Sequence, residues 1–418
     1  MPDAPSIGLF SNPPLRLAAP GSKSLTQRAL VLTALASGES LLDGPLESDD
    51  TRHLRAALRE LGVGIDELSD GRWRVRGGAL RVPGRPLWCG DGGTVLRFLA
   101  PLALLLDGEL VLDGSERLSE RPLDALLESL RQLGAQSRRL SQSRPLPVGI
   151  RAGAAPARAG PVSVDASSSS QFVSGLLMVG PLLPGGLDLR IESAVSRPYV
   201  EMTLDAMRAR GAEGAEEPES GAAAGTSRCR IRPGAYRAGP LPIEGDWSAA
   251  AFLLAAGFIS GREVTVTNAS PASLQGDRAI AGFLDELAQP RLHLFDLESC
   301  PDLVPPLAAA AAFASHPSRI VGVAHARLKE SDRLATLAQG FAQAGVPIIE
   351  HPDGLEISPA TRLLPSRLAT RGDHRMAMAF GLLSLREPGI QADDPACISK
   401  SFPGFWEVLE RFRLVPFT

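Results

Sequence analysis

One pattern recurs six times along this chain and limits what it can fold into: an apolar helix-like stretch, a glycine-marked turn, a short β-rich run, a polar loop and an amphipathic helix. The amphipathic helices read 47–62, 118–134, 195–211, 274–289, 328–345 and 398–412. Several carry apolar residues at i, i+3, i+4 and i+7, as Leu54, Leu58 and Leu61 do, and four end in Gly62, Gly134, Gly211 or Gly345, a common helix stop. The six starts lie about 55 to 80 residues apart, longer than solenoid periods, so the spacing predicts globular domains of three units each rather than a stacked array.

The first helix of each unit is mostly apolar, as in 172–180 (FVSGLLMVG) and 248–257 (SAAAFLLAAG), and a helix apolar all round is a buried one. The expected arrangement is therefore three buried helices per domain, with sheets and amphipathic helices outside them. The stretch 208–240, rich in Gly, Ala and Glu, reads as a loop or weak hairpin and as a domain junction.

Charge and composition remove several classes of function. Against 43 Lys plus Arg stand 47 Asp plus Glu, a formal charge of −4, which excludes nucleic-acid binding through bulk positive charge. Any anion site must be local. The longest apolar runs, 96–106 and 303–314, fall short of the ~20 residues a bilayer requires, and 1–14 lacks the basic and apolar regions of a secretory signal, so the expected address is the cytoplasm. Cys89, Cys229, Cys300 and Cys397 form no CxxC pair and the six histidines no HxxxH, so neither a disulfide framework nor a metal site is expected. Only three of the basic residues are lysines, Lys23, Lys329 and Lys400. A compact ammonium can act as a point charge on a phosphate or change its protonation state, where a guanidinium stays charged and forked.

The polar loops hold the unusual residues. PGSKSLTQR at 20–28 opens a helix that Ser22 or Ser24 can cap, and its free N–H groups favour an anion beside Lys23 and Arg28. It is not a Walker A loop, because Ser22 rather than Gly precedes Lys23. CGDGGT at 89–94 lacks GxGxxG spacing, since Val95 fills the last Gly position; close approach to an anion and a plain tight turn both fit it. Ser167 to Ser170 with Gln171 set four hydroxyls and an amide at the start of a buried helix, suited to phosphate or sugar hydroxyls, although a serine linker is the bland alternative. In RLKESDR at 327–333 a continuous helix would place Lys329 and Arg333 on one face with Glu330 beside them; a surface salt-bridge ladder is the usual source of such a run.

Taken together the motifs resemble the 5-enolpyruvylshikimate-3-phosphate synthase family. They are PGSKSLTQRAL at 20–30, ESDDTRHL at 47–54, CGDGGT at 89–94, ERP at 120–122, SSQF at 169–172, SRPY at 196–199, EGD at 244–246, PDLVP at 301–305, RLKESDRL at 327–334, GDHRMAM at 372–378 and SKSFPGFWE at 399–407. The resemblance implies an α/β fold of two domains, the inside-out α/β barrel of enolpyruvyl transferases, each made of three βαβαββ units around buried helices. One domain would span 21–240 and the other 1–20 with 241–418, its first unit shortened between Glu286 and Leu294, with the active site in the cleft between lobes.

The reaction so implied moves the enolpyruvyl group of phosphoenolpyruvate to the 5-hydroxyl of shikimate 3-phosphate and releases phosphate by addition and elimination, with no metal or organic cofactor. The partners are these two small molecules, with no nucleic acid or membrane, and the chain is expected to act as a monomer. Carried over by position, Lys23, Gly93, Arg121, Gln171, Arg333, Arg375 and Lys400 would hold phosphoenolpyruvate. Lys23, Ser24, Arg28, Ser169, Ser170, Gln171, Ser196, Tyr199, Asp302 and Lys329 would hold shikimate 3-phosphate. Glu330 would be acid and base at the methylene carbon. Asp302 and Lys329 would act at the hydroxyl, either one able to take its proton, with Lys23 and His374 assisting the departing phosphate.

The chain departs from the family at Asp91, where Asn is usual, which sets a negative charge near the expected phosphoenolpyruvate site. Two other readings remain. The sister enzyme acting on UDP-N-acetylglucosamine shares the fold and chemistry but typically has Lys-Asn in place of Lys23-Ser24 and lacks the SSQ and SRPY sets. A non-catalytic relative would bind the anions and turn nothing over.

Overall fold

The computed structural model describes residues 14–153, 161–219 and 225–413. By contact they form two compact units, Gly21–Ile243 and Met1–Pro20 with Glu244–Thr418, so far as those spans are described.

In the unit Gly21–Ile243 three buried helices, Lys23–Leu35, Gly93–Leu99 and Gln171–Val179, lie among three four-stranded sheets. The second repeat shows the plan. Leu87–Trp88 runs parallel to Glu109–Asp113, which pairs antiparallel with Val148–Arg151, and Gln136–Arg139 takes the edge. The third repeat copies this with Val162–Asp165, Leu187–Glu192, Ser227–Ile231 and Gly214–Pro218. In the first repeat Gly38–Asp43, Trp73–Gly77 and Gly64–Glu67 are local, but the parallel neighbour of Gly38–Asp43 is Pro240–Pro242, which follows the third repeat. The stretch expected as a loop or weak hairpin at 208–240 is thus a structural hairpin whose second strand lies inside its sheet, with Cys229 and Ile231 buried; residues 220–224 lie outside the described ones.

In the other unit the buried helices are Trp247–Ser260, Val304–Ala311 and His374–Leu383. Every residue of Val304–Ala311 is buried, and its run of alanines lets neighbouring helices approach closely. Each fully buried Leu or Phe in such a core adds about 1.5 to 3 kcal/mol over an exposed one. One sheet has four strands: His293–Asp296, Ser318–Val321, Gly354–Ile357 and Ile348–His351. Leu15–Leu17 with Val264–Val266, and Ser366–Leu368 with Ile390–Ala392, make two-stranded sheets. The plan of three full βαβαββ units therefore holds for the first unit, while in the second only the fifth repeat carries a hairpin among the described residues. The helix Ile280–Leu287 of the fourth repeat leads to His293–Asp296 with no strand between.

The four glycine stops take one shape. Gly62, Gly134, Gly211 and Gly345 all have positive φ, 99°, 91°, 92° and 86°. The next residues Val63, Ala135, Ala212 and Val346 donate back to the carbonyls of Leu58, Leu130, Met207 and Phe341 and are themselves buried, which is the Schellman stop with its apolar contact. The starts of these helices differ from the expected ones. Helices begin only at Pro198, Ile280, Arg333 and Phe405, and 118–134 divides into Glu116–Ser119 and Asp124–Gln132 around Pro122. The residues expected in their first turns stand in 3-10 turns and loops, where side chains are not bound to helical spacing. Lys329 and Arg333 are accordingly not successive turns of one helix: Lys329 follows the 3-10 turn Ala324–Leu328, and Arg333 is the first helical residue after the cap Asp332.

Candidate active site

The expected site residues divide between the units. In Gly21–Ile243 most stand at or near the N-termini of the buried helices, with Arg121 in the loop before Asp124–Gln132 and Ser196 and Tyr199 at the start of Pro198–Ala209. Ser22 caps the helix Lys23–Leu35 by accepting from the Leu25 amide, and Lys23 Nζ stands 3.4 Å from Asp50 Oδ2. One turn on, Arg28 is buried among neutral acceptors: Nε donates to Thr203 Oγ1 at 2.7 Å, Nη1 to the Ser24 carbonyl at 3.0 Å, and Nη2 to the Tyr199 carbonyl at 2.9 Å and Ser174 Oγ at 3.1 Å. Burial lowers its pKa to about 10, so it stays charged at neutral pH. Arg28 thereby ties the helix carrying Lys23 and Ser24 to the one carrying Tyr199.

Gln171 opens the next helix with its amide fixed at both ends, Nε2 donating to Thr94 Oγ1 at 2.9 Å and Oε1 accepting from Arg97 Nη1 at 2.7 Å. Arg97 also donates to Ser169 Oγ at 3.3 Å and to the Pro122 carbonyl at 2.7 Å. Sequence reasoning gave Arg97 no such task; a lone arginine in the apolar run 95–103 is the signal that could have found it. Ser170 is buried and its side chain makes no cap bond. Ser196, held at φ 55°, buries a hydroxyl that meets no partner among the described residues. A strained backbone presenting an unsatisfied donor is a feature of ligand sites.

Arg121 lies over the glycine turn, Nη1 donating to the Asp91 carbonyl at 3.3 Å. A Cβ on Gly93 would come 2.7 Å from Arg121 Cζ. Gly93→Ala, whose backbone φ is not one reserved for glycine, must therefore push the guanidinium aside. We expect kcat/KM for an anion held there to fall on the order of 10- to 100-fold with the fold intact, as misplacing a binding group does; an unchanged value would remove Gly93 and Arg121 from the site. Asp91 itself accepts from Ser115 Oγ, leaving its charge beside this turn. Asp91→Asn is expected to lower the anion's KM roughly two- to fivefold, the scale of an exposed, screened charge, and an unchanged KM would dismiss its influence.

In the other unit one guanidinium organises the site. Arg333, buried at 1% exposure, bonds Asp302 Oδ1 at 2.6 Å through Nη1, Glu330 Oε2 at 2.9 Å through Nη2 and Asp373 Oδ2 at 2.9 Å through Nε. Arg375 Nη2 reaches Asp302 Oδ2 at 2.9 Å, and Lys400 Nζ stands 3.7 Å from Glu330 Oε1. Burial alone would depress Arg333, but Asp373, Glu330 and Asp302 outweigh it and hold the group above its ordinary value. Burial alone would raise Asp302, but Arg375, Arg333 and Lys329 outweigh it and hold its carboxyl far below the usual range. Four cations, Lys329, Arg333, Arg375 and Lys400, thus face three carboxylates, Asp302, Glu330 and Asp373.

Asp373 caps the helix His374–Leu383, accepting from the Arg375 amide at 2.9 Å and from Ser331 Oγ at 3.0 Å. Its buried bond to Arg333 was not foreseen, although an Asp before an apolar run is a capping signal. His374 is fully buried, with Nδ1 3.7 Å from Asp373 Oδ1. His325, which nothing in the sequence singled out, is buried near Lys329 and Asp302; burial, then the charge of Lys329, lowers it to about 4, so it is neutral at pH 7.

Comparison with known proteins shows the family. The family model for EPSP synthase (3-phosphoshikimate 1-carboxyvinyltransferase) matches residues 15–409. The 3-phosphoshikimate 1-carboxyvinyltransferase of Salmonella schwarzengrund is 37% identical over 413 residues, covering 94% of this chain and 95% of the relative. That of Methanospirillum hungatei is also 37% identical, over 415 residues and 94% of each chain. Among solved structures, an EPSP synthase from Acinetobacter baumannii superimposes with a TM-score of 0.74 at 23% identity, covering 95% of both chains, a likeness of fold.

Proposed function

Because the chain belongs to the EPSP synthase family, we propose that it transfers the enolpyruvyl group of phosphoenolpyruvate to the 5-hydroxyl of shikimate 3-phosphate, releasing phosphate through a tetrahedral intermediate. The reaction belongs to the shikimate pathway towards chorismate and the aromatic amino acids, carried out in the cytoplasm. The observation that carries the site is the network around Arg333, in which two carboxylates, Asp302 and Glu330, are held among cations suited to anions.

Phosphoenolpyruvate is held by Arg333, Arg375 and Lys400 with Lys23, Arg121, Gln171 and the Gly93 turn. Shikimate 3-phosphate is held by Lys23, Ser24, Arg28, Ser169, Ser170, Gln171, Ser196 and Tyr199 with Asp302 and Lys329. Arg28 and Arg97 position the serines and Gln171 in this reading, and the unsatisfied Ser196 hydroxyl supplies a donor for phosphate. Glu330, held between Arg333 and Lys400, delivers a proton to the methylene carbon and later recovers it. Asp302, kept ionised, serves the 5-hydroxyl together with Lys329. Lys23 and His374 assist the departing phosphate, His374 from its buried place beside Asp373.

Phosphate release is the test. Turnover that requires both phosphoenolpyruvate and shikimate 3-phosphate supports the reading; binding of both without release would make the chain a non-catalytic relative.

A further inference from the structure

Beside the arginine network lies a fourth carboxyl that the proposed mechanism does not use. Asp277 stands in the 3-10 turn Gly276–Ala279 that leads into the helix Ile280–Leu287, and is 2% exposed. Ser248 Oγ, from the first turn of Trp247–Ser260, donates to its Oδ2. Its Oδ1 is buried and meets no donor among the described residues. A carboxylate with one oxygen unsatisfied out of water is costly, and taking up a proton relieves the cost.

The charged and titratable groups that act on it come from three neighbouring segments. They are Asp246 at the cap of Trp247–Ser260, Cys300 and Asp302 at the turn Pro301–Leu303, and Arg375 in the first turn of His374–Leu383. The one cation among them, Arg375, is already bonded to Asp302.

We propose that Asp277 is a positioning residue whose proton sets the net charge around Asp302 and Arg375, and so how strongly the arginine network holds a phosphorylated acid. With the proton on, the surroundings of the four cations carry one negative charge fewer, and they draw an anion more strongly than with it off. Burial first, then the charge of Asp302, raise Asp277 to about 7, so the change falls in the working range of an intracellular enzyme.

This inference rests on the placement of phosphoenolpyruvate at Arg333, Arg375 and Lys400. The test is the KM for phosphoenolpyruvate of the full chain and of Asp277→Asn from about pH 5.5 to 9, taken as a ratio so that ionisation of the substrate cancels. The ratio of the unchanged chain to the variant is expected near one below about pH 6, rising to roughly tenfold above about pH 8, the effect of one unit of coupling. Ser248→Ala, which removes the donor favouring the ionised carboxylate, should move the rise to higher pH and carries the test should Asp277→Asn fold poorly. A ratio flat with pH overturns the proposal, as does a Ser248→Ala profile that does not move.

Stability gives a reading independent of turnover. An acid raised on folding weakens the native state as pH climbs from about 4, its unfolded value, to about 7. The chain should lose stability against Asp277→Asn across that window, and parallel curves count against the proposal. Arg375→Gln separates the two claims. If it leaves the KM unchanged, the placement of phosphoenolpyruvate fails and this inference with it; if it raises the KM while the Asp277 ratio stays flat, only the role of Asp277 fails.

Discussion

Glu330→Ala is expected to lower turnover by about 100-fold or more, the usual scale for losing a proton-transfer group. The KM for phosphoenolpyruvate should stay level or fall, because the substitution returns Arg333 and Lys400 to the substrate. That separation of kcat from KM distinguishes a proton carrier from a binding residue. Glu330→Gln keeps the length of the side chain and an oxygen for Arg333 but carries no proton, so it should lose as much. Near-normal turnover in the glutamine variant would sink the role.

The largest effect on stability is expected at Arg333. Replacing it with Gln leaves Asp302, Glu330 and Asp373 without their shared cation, and Asp373 is fully buried. Breaking a buried pair from one side costs about 3 to 5 kcal/mol, and phosphoenolpyruvate binding should fail with it. Asp302, depressed in the folded chain, contributes stability above the ordinary carboxylate pKa of about 4 and loses it as pH falls towards its folded value. The deficit of Arg333→Gln should therefore be largest near neutral pH and shrink in acid, as protons replace the missing guanidinium. Denaturant midpoints at the two pH values check this; a deficit below about 1 kcal/mol at neutral pH would show that Arg333 is no keystone of its unit.

The sequence made the helix stops and the buried helices readable because each is set locally. A Schellman stop needs one residue at positive φ and an apolar residue after it, and Gly62-Val63 or Gly345-Val346 announce both. Runs such as 304–311 have no polar face to misread. The helix starts were less readable, since Lys329 and Glu330 carry helical spacing but are claimed by the Asp302, Arg333 and Lys400 network before the helix begins at Arg333. Pairings over long separations were not readable at all. Arg97 with Gln171, Arg333 with Asp373 and Ser248 with Asp277 join segments whose proximity only the packing of buried helices creates. The resemblance named the residues proposed to meet substrate, and it was silent on those that hold them.

The strand Leu15–Leu17 belongs to one unit although the other, Gly21–Ile243, interrupts the chain directly after it. During synthesis the interrupting unit is whole once Pro240–Pro242 emerges to close its first sheet, and it can fold on its own timetable. The opening segment has no such freedom: its partner Val264–Val266 leaves the ribosome some 250 residues later, at a separation of 249 positions for Leu15 and Val264. Until then an edge strand waits unpaired, and this interval is when a nascent chain of this design is most open to chaperones and to mispairing.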